Sequence, residues 1–289
     1  MKDISIQELR QLEQDILDFI VDVCQKNAIT YFLCGGTLLG AYRHKGFIPW
    51  DDDIDVMMPR PDYERFLELF PRHEYLELRN CRNDKEYPLA FSTVNDARTV
   101  KVEKKLRKKL RNKLSVNIDV FPIDGLPDDV NECKNYYRQI ATTQKLLECS
   151  TKAFGKAPTL KATIMKNAGI AVYRMLEFLG LRNISHYVSR MEKVAMKYNY
   201  EQAHYVGITA ISHYGTKERN LKNQYEPSLK VTFEGKQYNS PKCYDTYLSQ
   251  LYGKSYMKLP PSAQQHTHHT SNCYWKNKQE GGCLSSSDE

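Results

Sequence analysis

Apolar and polar positions along the first part of the chain alternate with a period that switches between helical and strand-like. Between residues 6 and 27 apolar residues recur at steps of three and four, which predicts an amphipathic helix. The run 29–34 is rich in β-branched and aromatic residues and predicts a strand that stops at Gly35-Gly36. The pattern then predicts a helix over 37–43, a strand over 54–58 and a helix that opens at Pro61.

The pattern further along the chain predicts short strands and then a long helical stretch. Strands are predicted at 75–79, 89–94 and 116–121, and the last is predicted to end in a turn at Pro122 to Gly125. Helical periodicity runs from 128 to 199, with a looser stretch at 151–160. The remaining predicted elements are a strand or hairpin arm over 229–237 with its turn at Glu234-Gly235, and a helix over 244–252 ended by Gly253.

These elements together predict an α+β fold. Residues 1–126 are expected to form a core with a small mixed sheet and flanking helices. Residues 127–265 are expected to form a mostly helical part with a short hairpin, packed on that core. The segment 266–289 is rich in Ser, Lys, Gln and Gly, and we expect it to be a disordered tail.

Composition narrows the class of protein. Of 289 residues 41% are hydrophobic and 27% charged, and the mean hydropathy is -0.63, which is typical of a soluble globular protein. The first five residues lack the features of a signal peptide, and no apolar run approaches the roughly 18 residues of a membrane span. We therefore expect a cytoplasmic protein.

The eight cysteines are widely and irregularly spaced, which favours reduced thiols over a disulfide framework. A structural zinc site that uses Cys273, Cys283 and the nearby histidines is a less favoured alternative, because the ligands of such sites are usually closer together.

The net charge of +7 is unevenly distributed, since the segment from Lys101 to Lys113 contains many lysines and arginines and a single acid. Three interpretations of this basic run stay open. It could be a solvated helix or loop, it could attract a phosphate-bearing substrate, or it could attract the protein to an anionic membrane surface as a peripheral contact.

The segment 31–58 carries the chemistry. A strand that ends in Gly35-Gly36 before a helix exposes backbone N–H groups where no side chain blocks a phosphate, and the Thr37 hydroxyl can add a donor. Asp53 and Asp55 are two residues apart on a predicted strand, so both carboxylates point to one face. Carboxylates side by side repel, and a divalent cation relieves that repulsion. Mg²⁺, with Mn²⁺ as the alternative, is the expected cofactor for phosphoryl or nucleotidyl transfer.

A third metal-binding carboxylate is expected at Asp119, because this residue lies inside an apolar strand where an unpaired charge is costly. Asp124 is expected to be a cap or loop residue. Asp51 and Asp52 could support the metal ligands from behind or form a solvated acidic corner. The latter interpretation is favoured for Asp52, and neither is favoured for Asp51.

The ordered set of motifs resembles a known family. Gly35-Gly36-Thr37 followed by Asp53-Ile54-Asp55-Val56 is similar to the signature of the polymerase-beta-like nucleotidyltransferase superfamily. More narrowly, GGTLLGAYRHKGFIPWDDDIDVMMPRPDYERF resembles the LicD family of choline-phosphate transferases, which is related to the fukutins. The resemblance spans roughly residues 5–265 and returns in NIDVFPIDG, FEG, YDTYL, LYG and MKLPP.

The resemblance implies a nucleotidyltransferase-like core and a phosphotransferase activity. The donor would be a CDP-linked alcohol such as CDP-choline or a CDP-alditol, the acceptor a glycan or lipid-linked oligosaccharide, and CMP would leave. Asp53 and Asp55 take the metal positions, Asp119 the third carboxylate, and Gly36 and Thr37 the donor-phosphate loop. Arg43, Lys45 and Arg98 are candidate phosphate partners, although a surface role fits each of them equally well.

The chain departs from the family where Leu-Pro-Pro is usually followed by Arg and His. Here the sequence is PPSAQQHTHHTS, so His266, His268 or His269 could substitute, while a polar loop is the alternative.

Two other classes of function stay open. A nucleotidyltransferase that acts on RNA or a small molecule and releases pyrophosphate would share the same core, and the basic run favours it. The absence of an RNA-binding sequence motif argues against a nucleic-acid partner. An inactive polysaccharide- or nucleotide-binding module is disfavoured because both metal carboxylates are present.

Overall fold

The computed structural model describes residues 1–111, 113–265 and 272–276. Its helices are α1 (Ile6–Lys26), α2 (Gly35–Arg43), α3 (Arg60–Leu69), α4 (Lys108–Arg111), α5 (Val130–Thr151), α6 (Leu160–Phe178), α7 (Ile184–Ala195) and α8 (Tyr244–Tyr252). Its strands are β1 (Lys2–Asp3), β2 (Phe32–Leu33), β3 (Asp55–Pro59), β4 (Leu76–Arg79), β5 (Ser92–Asp96), β6 (Thr99–Val102), β7 (Asn117–Leu126), β8 (Tyr205–Ile208), β9 (Asn220–Leu221), β10 (Leu229–Phe233), β11 (Lys236–Ser240) and β12 (Asn272–Trp275). The α+β fold class is therefore confirmed.

The largest sheet is mixed and carries the predicted site strands at its centre. Its strands follow the order β2-β3-β7-β5-β4, and β8 and β9 extend it from the far half of β7. The central pair β3–β7 is parallel, whereas β2–β3, β5–β7, β4–β5 and β7–β8 are antiparallel. Since the carboxylate-bearing starts of β3 and β7 lie side by side, the sheet brings distant parts of the sequence to one edge.

Two apolar clusters hold the fold together. The larger one lies between α1, the main sheet, α2, the hairpin β10–β11 and α8. The smaller one lies beneath α5 and α7 and includes Tyr136, Ile140, Val188 and Met191. The C-terminal segments thus return to pack on the N-terminal core. The boundary predicted at residue 126 stays a prediction.

The long helical stretch and its break were predicted correctly in kind. The chain forms α5, α6 and α7 between residues 130 and 195, with an irregular connection where the looser stretch was expected. Asp129, Thr159 and Asn183 each begin one of these helices by accepting a hydrogen bond from a backbone N–H of the first turn.

The expected turn at Pro122 to Gly125 is wrong, because β7 continues to Leu126 through these residues. The extension is held by β8, whose residues pair with Ile123 to Leu126. Asp124 is accordingly a buried residue of the strand and not a cap. Its carboxylate accepts from the Arg60 guanidinium at 2.6 and 2.8 Å and from the Thr209 hydroxyl at 2.6 Å.

The expectation of disorder does not hold for Asn272–Trp275 in the predicted tail. These four residues form β12, which pairs with β6 on one side and β1 on the other. The composition of the segment gave no sign of this pairing, because the partners lie far away in the sequence. His266, His268, His269 and Cys283 lie outside the described residues.

Within the described part of the chain, no helix is long and apolar enough to cross a membrane. The seven cysteines that this part contains are free thiols.

Candidate active site

The two strands that carry the predicted metal ligands are direct neighbours. Asp55 at the start of β3 is in register with Asp119 on β7, and the Asp119 N–H donates to the Ile54 carbonyl at 3.3 Å. The Asn117 side-chain amide donates to the Asp119 carboxylate at 2.7 Å, which holds that side chain in place. Asp53 precedes Asp55 by two residues, so the chain brings three aspartates to one end of the β3–β7 pair.

The N-terminus of α2 lies against these carboxylates. Gly35 and Gly36 are the first two residues of the helix, and the Thr37 hydroxyl accepts from the Asp55 N–H at 2.8 Å. A Cβ atom on Gly36 would lie 2.7 Å from an Asp51 carboxylate oxygen. Gly35 has a positive φ of 52°, and a Cβ there would lie 3.4 Å from an Asp55 oxygen. The glycines therefore allow the acidic side chains and the helix N-terminus to meet closely.

Electrostatics make the Asp55 carboxylate costly to ionise. Burial, followed by the charges of Asp53, Asp119 and Asp51, raises the pKa of Asp55 well above its usual value. A divalent cation would remove this repulsion, and carboxylate oxygens are the ligands that Mg²⁺ prefers. The donor set and its mutual repulsion fit the predicted metal.

Within residues 1–111, 113–265 and 272–276, no three His, Cys, Asp or Glu side chains are grouped closely enough to form a metal site by themselves. Mg²⁺ commonly takes one or two carboxylates and completes its shell with waters and substrate phosphates. The assignment of Asp53, Asp55 and Asp119 as ligands stays a prediction.

A residue of helix α1 holds the segment 48–51, which leads to the aspartates, and the sequence did not suggest this contact. The Arg10 guanidinium donates to the carbonyl oxygens of Ile48 at 3.1 Å, Pro49 at 3.1 Å and Asp51 at 2.8 Å. Its charge also lies 4.9 Å from the centre of the Phe47 ring. Arg10 thus fixes the backbone that leads into Asp51 to Asp53.

Glu13, one turn further along α1, is a second residue that sequence reasoning missed. Its side chain is fully buried, and neither carboxylate oxygen has a hydrogen-bond partner among the described residues. Burial raises the pKa of Glu13 well above its usual value, Lys101 opposes the rise, and Asp53, Asp52 and Asp51 add to it. The sequence did contain one sign of its burial, because Glu13 lies on the apolar face of α1 that is formed by Leu9, Leu12, Ile16 and Leu17.

The first residue of the basic run belongs to this site rather than to a solvated segment. Lys101 lies on β6 and pairs in register with Cys273 of β12. Burial alone would lower the pKa of the Lys101 ammonium, but Glu13, Asp119 and Asp53 raise it on balance. Lys101 is therefore a cation within the electrostatic reach of the acidic cluster.

Three tyrosines, Tyr214, Tyr247 and Tyr252, lie on the other side of the α2 N-terminus. The Gly35 N–H points to the Tyr247 hydroxyl at 3.4 Å, and the hydroxyl of Tyr214 donates to that of Tyr252 at 2.9 Å. Burial raises the pKa of Glu218, which lies near these tyrosines, to about 8. Tyr247 and Tyr252 belong to the YDTYL and LYG motifs, to which the sequence analysis assigned no role.

The predicted phosphate partners are Arg43, Lys45 and Arg98, and their contacts in the structure are with other parts of the protein. Arg98 lies beyond the end of β5, where its guanidinium pairs with Asp96 at 2.6 Å and stacks 3.5 Å from the centre of the Tyr75 ring. Arg43 donates to the Tyr256 and Lys258 carbonyls at 2.9 and 3.4 Å. Lys45 has a positive φ of 62°, and its carbonyl accepts from the Glu234 N–H at the β10–β11 turn. Their roles toward substrate stay predictions.

Comparison with known proteins supports the resemblance over the same region and beyond it. Residues 28–125 match the LicD/FKTN/FKRP nucleotidyltransferase domain, which includes β2, α2, β3 and most of β7. The chain is 32% identical over 284 residues to the lipopolysaccharide cholinephosphotransferase LicD of Haemophilus influenzae, covering 95% of this chain and 99% of that protein. It is 47% identical over 38 residues to the human ribitol 5-phosphate transferase FKRP, covering 13% of this chain and 8% of that protein.

Proposed function

Because the chain belongs to the LicD family, we propose that it is a metal-dependent phosphotransferase. It transfers a phosphoalcohol, either phosphocholine or an alditol phosphate, from a CDP-linked donor to a sugar hydroxyl. The acceptor is a cell-surface polysaccharide or its lipid-linked precursor, and the reaction takes place in the cytoplasm. The full-length similarity to a cholinephosphotransferase and the shorter similarity to a ribitol 5-phosphate transferase support this group of substrates.

The observation that carries the proposal is the pairing of Asp55 with Asp119 beside the glycines of α2. Acidic side chains alone bind cations, and a helix N-terminus alone binds anions. Together they suit a diphosphate, whose oxygens can contact the helix N–H groups on one side and a carboxylate-bound cation on the other.

Asp53, Asp55 and Asp119 would hold the Mg²⁺, which when bound neutralises charge on the phosphates. The residues of α2 bind the donor phosphates, and Arg10 keeps the Asp51 loop in the position that faces them. Asp119 orients the sugar hydroxyl and accepts its proton. The hydroxyl oxygen bonds to the phosphorus that carries the alcohol, the bond from that phosphorus to the bridging oxygen breaks, and CMP leaves with the electron pair.

The test is to incubate the protein with Mg²⁺, a panel of sugar acceptors and either CDP-choline, CDP-ribitol or CDP-glycerol. We expect CMP, and a product heavier than the acceptor by one phosphoalcohol in the mass spectrum. Asp55→Asn is the matched control, and it should give neither. The proposal fails if all three donors are inert with every acceptor while the wild-type protein is folded.

The second candidate, nucleotidyl transfer, is supported by the match to a nucleotidyltransferase domain. It differs in the bond that breaks, since attack on the α-phosphorus of CTP or ATP releases pyrophosphate. Release of pyrophosphate in the same assay, with nucleotide attached to the acceptor, would replace the reaction proposed here.

A further inference from the structure

Helix α6 exposes many of its large apolar side chains, whereas several of its polar side chains face the rest of the protein. Its inward face has buried Ile170 and Tyr173, beside half-buried Arg174 and Glu177. The outward face, which we call the apolar face of α6, carries exposed Lys161 and Ala168 and six large apolar residues that are each 54 to 90% exposed: Leu160, Ile164, Met165, Val172, Met175 and Phe178. A helix that only packs on a core shows the opposite arrangement.

The apolar face continues into the connection that follows the helix. Leu179 and Leu181 are 57 and 63% exposed, and Phe178 is 90% exposed. Single exposed apolar residues are common on proteins, but a continuous surface of this kind marks an interaction site.

Cationic groups follow this face just before α7 and along that helix. A groove of about 660 Å³ is lined by Arg182, His186, Arg190 and Lys193 together with Gly180, Leu181 and small polar side chains, and no acid is among the described residues that line it. Burial and the three neighbouring cations lower the pKa of His186, which fits a positive potential in the groove. Such a groove complements phosphate groups.

The basic run packs against the inward face of the same helix. Arg107 pairs with Glu177 of α6 at 2.9 and 3.0 Å, and Lys109 reaches the same carboxylate at 3.2 Å. The Leu106–Lys152 bridge joins the run to the end of α5. The basic run therefore packs on the inward side of α6, and the cationic groups next to its apolar face are those of the α7 groove.

We propose that α6 is a docking helix that lies in the surface of an anionic phospholipid bilayer. Its apolar face enters the boundary of the acyl chains, while the cations of the α7 groove contact lipid phosphates. Helices with an apolar face and cationic borders bind membranes in this orientation without spanning them. A second copy of the chain is a poorer occupant, because its cationic borders would face those of the first, and the net charge is already +7.

The inference concerns a surface and does not depend on the proposed reaction. It adds to the proposed function by giving a reason for the enzyme to work at a membrane, where a lipid-linked acceptor would be found.

The test is co-sedimentation of the full-length protein with vesicles of phosphatidylcholine alone or mixed with phosphatidylglycerol. We expect binding to the mixed vesicles and at least about tenfold weaker binding for the double variant Ile164→Ser/Phe178→Ser. The triple variant Arg182→Gln/Arg190→Gln/Lys193→Gln should lose its preference for the anionic vesicles. Leu69→Ser is the matched control, since Leu69 is 46% exposed on α3, and it should bind like the wild type.

Circular dichroism should give the same helix content for all the variants, because the changed side chains lie on the surface. Equal binding by the wild type and Ile164→Ser/Phe178→Ser would overturn the proposal, as would failure of the wild type to bind the anionic vesicles. A wild-type dimer in solution that Phe178→Ser converts to a monomer would show that a second copy occupies the face instead.

Discussion

The acidic end of the β3–β7 pair and the outward face of α6 depart from ordinary protein architecture in opposite ways. At the first, Asp55, Glu13 and their neighbours crowd acidic groups together, and burial raises the pKa of both Asp55 and Glu13. At the second, large apolar side chains such as Phe178 lie in water. Both arrangements raise the free energy of the isolated protein, and in both the partner that we propose, a divalent cation or an anionic bilayer, would lower it.

The comparison separates a buried acid that the fold neutralises itself from the acids for which we propose a cation. Asp124 is buried as deeply as any of the acids, yet Arg60 and Thr209 satisfy it. The Asp55 carboxylate instead has acidic neighbours. Burial alone is therefore a poor guide to function, and the sign of the neighbouring charge is the more informative property.

The largest expected effect is at the aspartates that we propose as ligands of the cation. Asp55→Asn or Asp53→Asn should reduce transfer about a thousandfold or more, because the position for the cation loses a carboxylate. The same variants should melt at an equal or higher temperature without Mg²⁺, since a repulsion is removed. Melting curves with and without Mg²⁺ and rates of CMP release measure both.

Asp52→Asn is the control for these variants and should keep most of the activity. Full activity in Asp55→Asn would show that this acid is not a metal ligand and would remove the main contrast with Asp124.

The next effect tests the acid that the fold neutralises. Arg60→Met should lower the free energy of unfolding by about 3–5 kcal/mol, because Asp124 would stay buried without its cation. Urea denaturation measures the loss. Lys26→Met, which breaks the exposed pair with Asp22, should cost about 0.5 kcal/mol or less. Similar losses in the two variants would mean that Arg60 and Asp124 are not a buried pair.

Glu218 provides a pH-dependent version of the same comparison. Its pKa is raised from 4.5 to about 8, so its stabilising contribution is complete below pH 4.5 and is lost as the pH rises through 8. Glu218→Gln should therefore be more stable than the wild type at pH 9, by about 3 kcal/mol. The difference should shrink toward pH 5. Urea denaturation at pH 5, 7 and 9 would show it, and a pH-independent difference would assign the effect to shape instead of charge.

The smallest effect is expected at the apolar face of α6. Phe178→Ser should change the free energy of unfolding by no more than about 0.5 kcal/mol, since the side chain is 90% exposed. Ile170→Ala in the same helix should cost about 2–4 kcal/mol, because Ile170 is buried. A large loss in Phe178→Ser would indicate that this face packs on the protein itself.

Local patterns made the elements and several site residues predictable. The periodicity of α1, the glycines of α2 and the aspartates at positions 53 and 55 each depend on residues close together in the sequence. The closeness of Asp55 and Asp119 could be expected only in outline, since their register is set by strand pairing between distant segments.

The features that could not be predicted all depend on tertiary contacts. Glu13 lies on α1 among leucines, and only the packing of α1 on the sheet brings it toward Asp53. Asp124 looked like a turn residue because its partners, Arg60 and Thr209, are distant in sequence. The apolar residues of α6 were recognised as helical, but periodicity does not tell which face of a helix meets the core.

The small sheet in which β12 separates β1 from β6 has a consequence for the timing of folding. Its three strands come from the beginning, the middle and the last described segment of the chain, so their pairing closes long loops and is expected to be slow. On a ribosome, β3 and β7 would emerge and pair well before β12 exists. The pairing that places Lys101 opposite Cys273 would then form last, so the electrostatic surroundings of the acidic cluster would be completed after its aspartates are already in place.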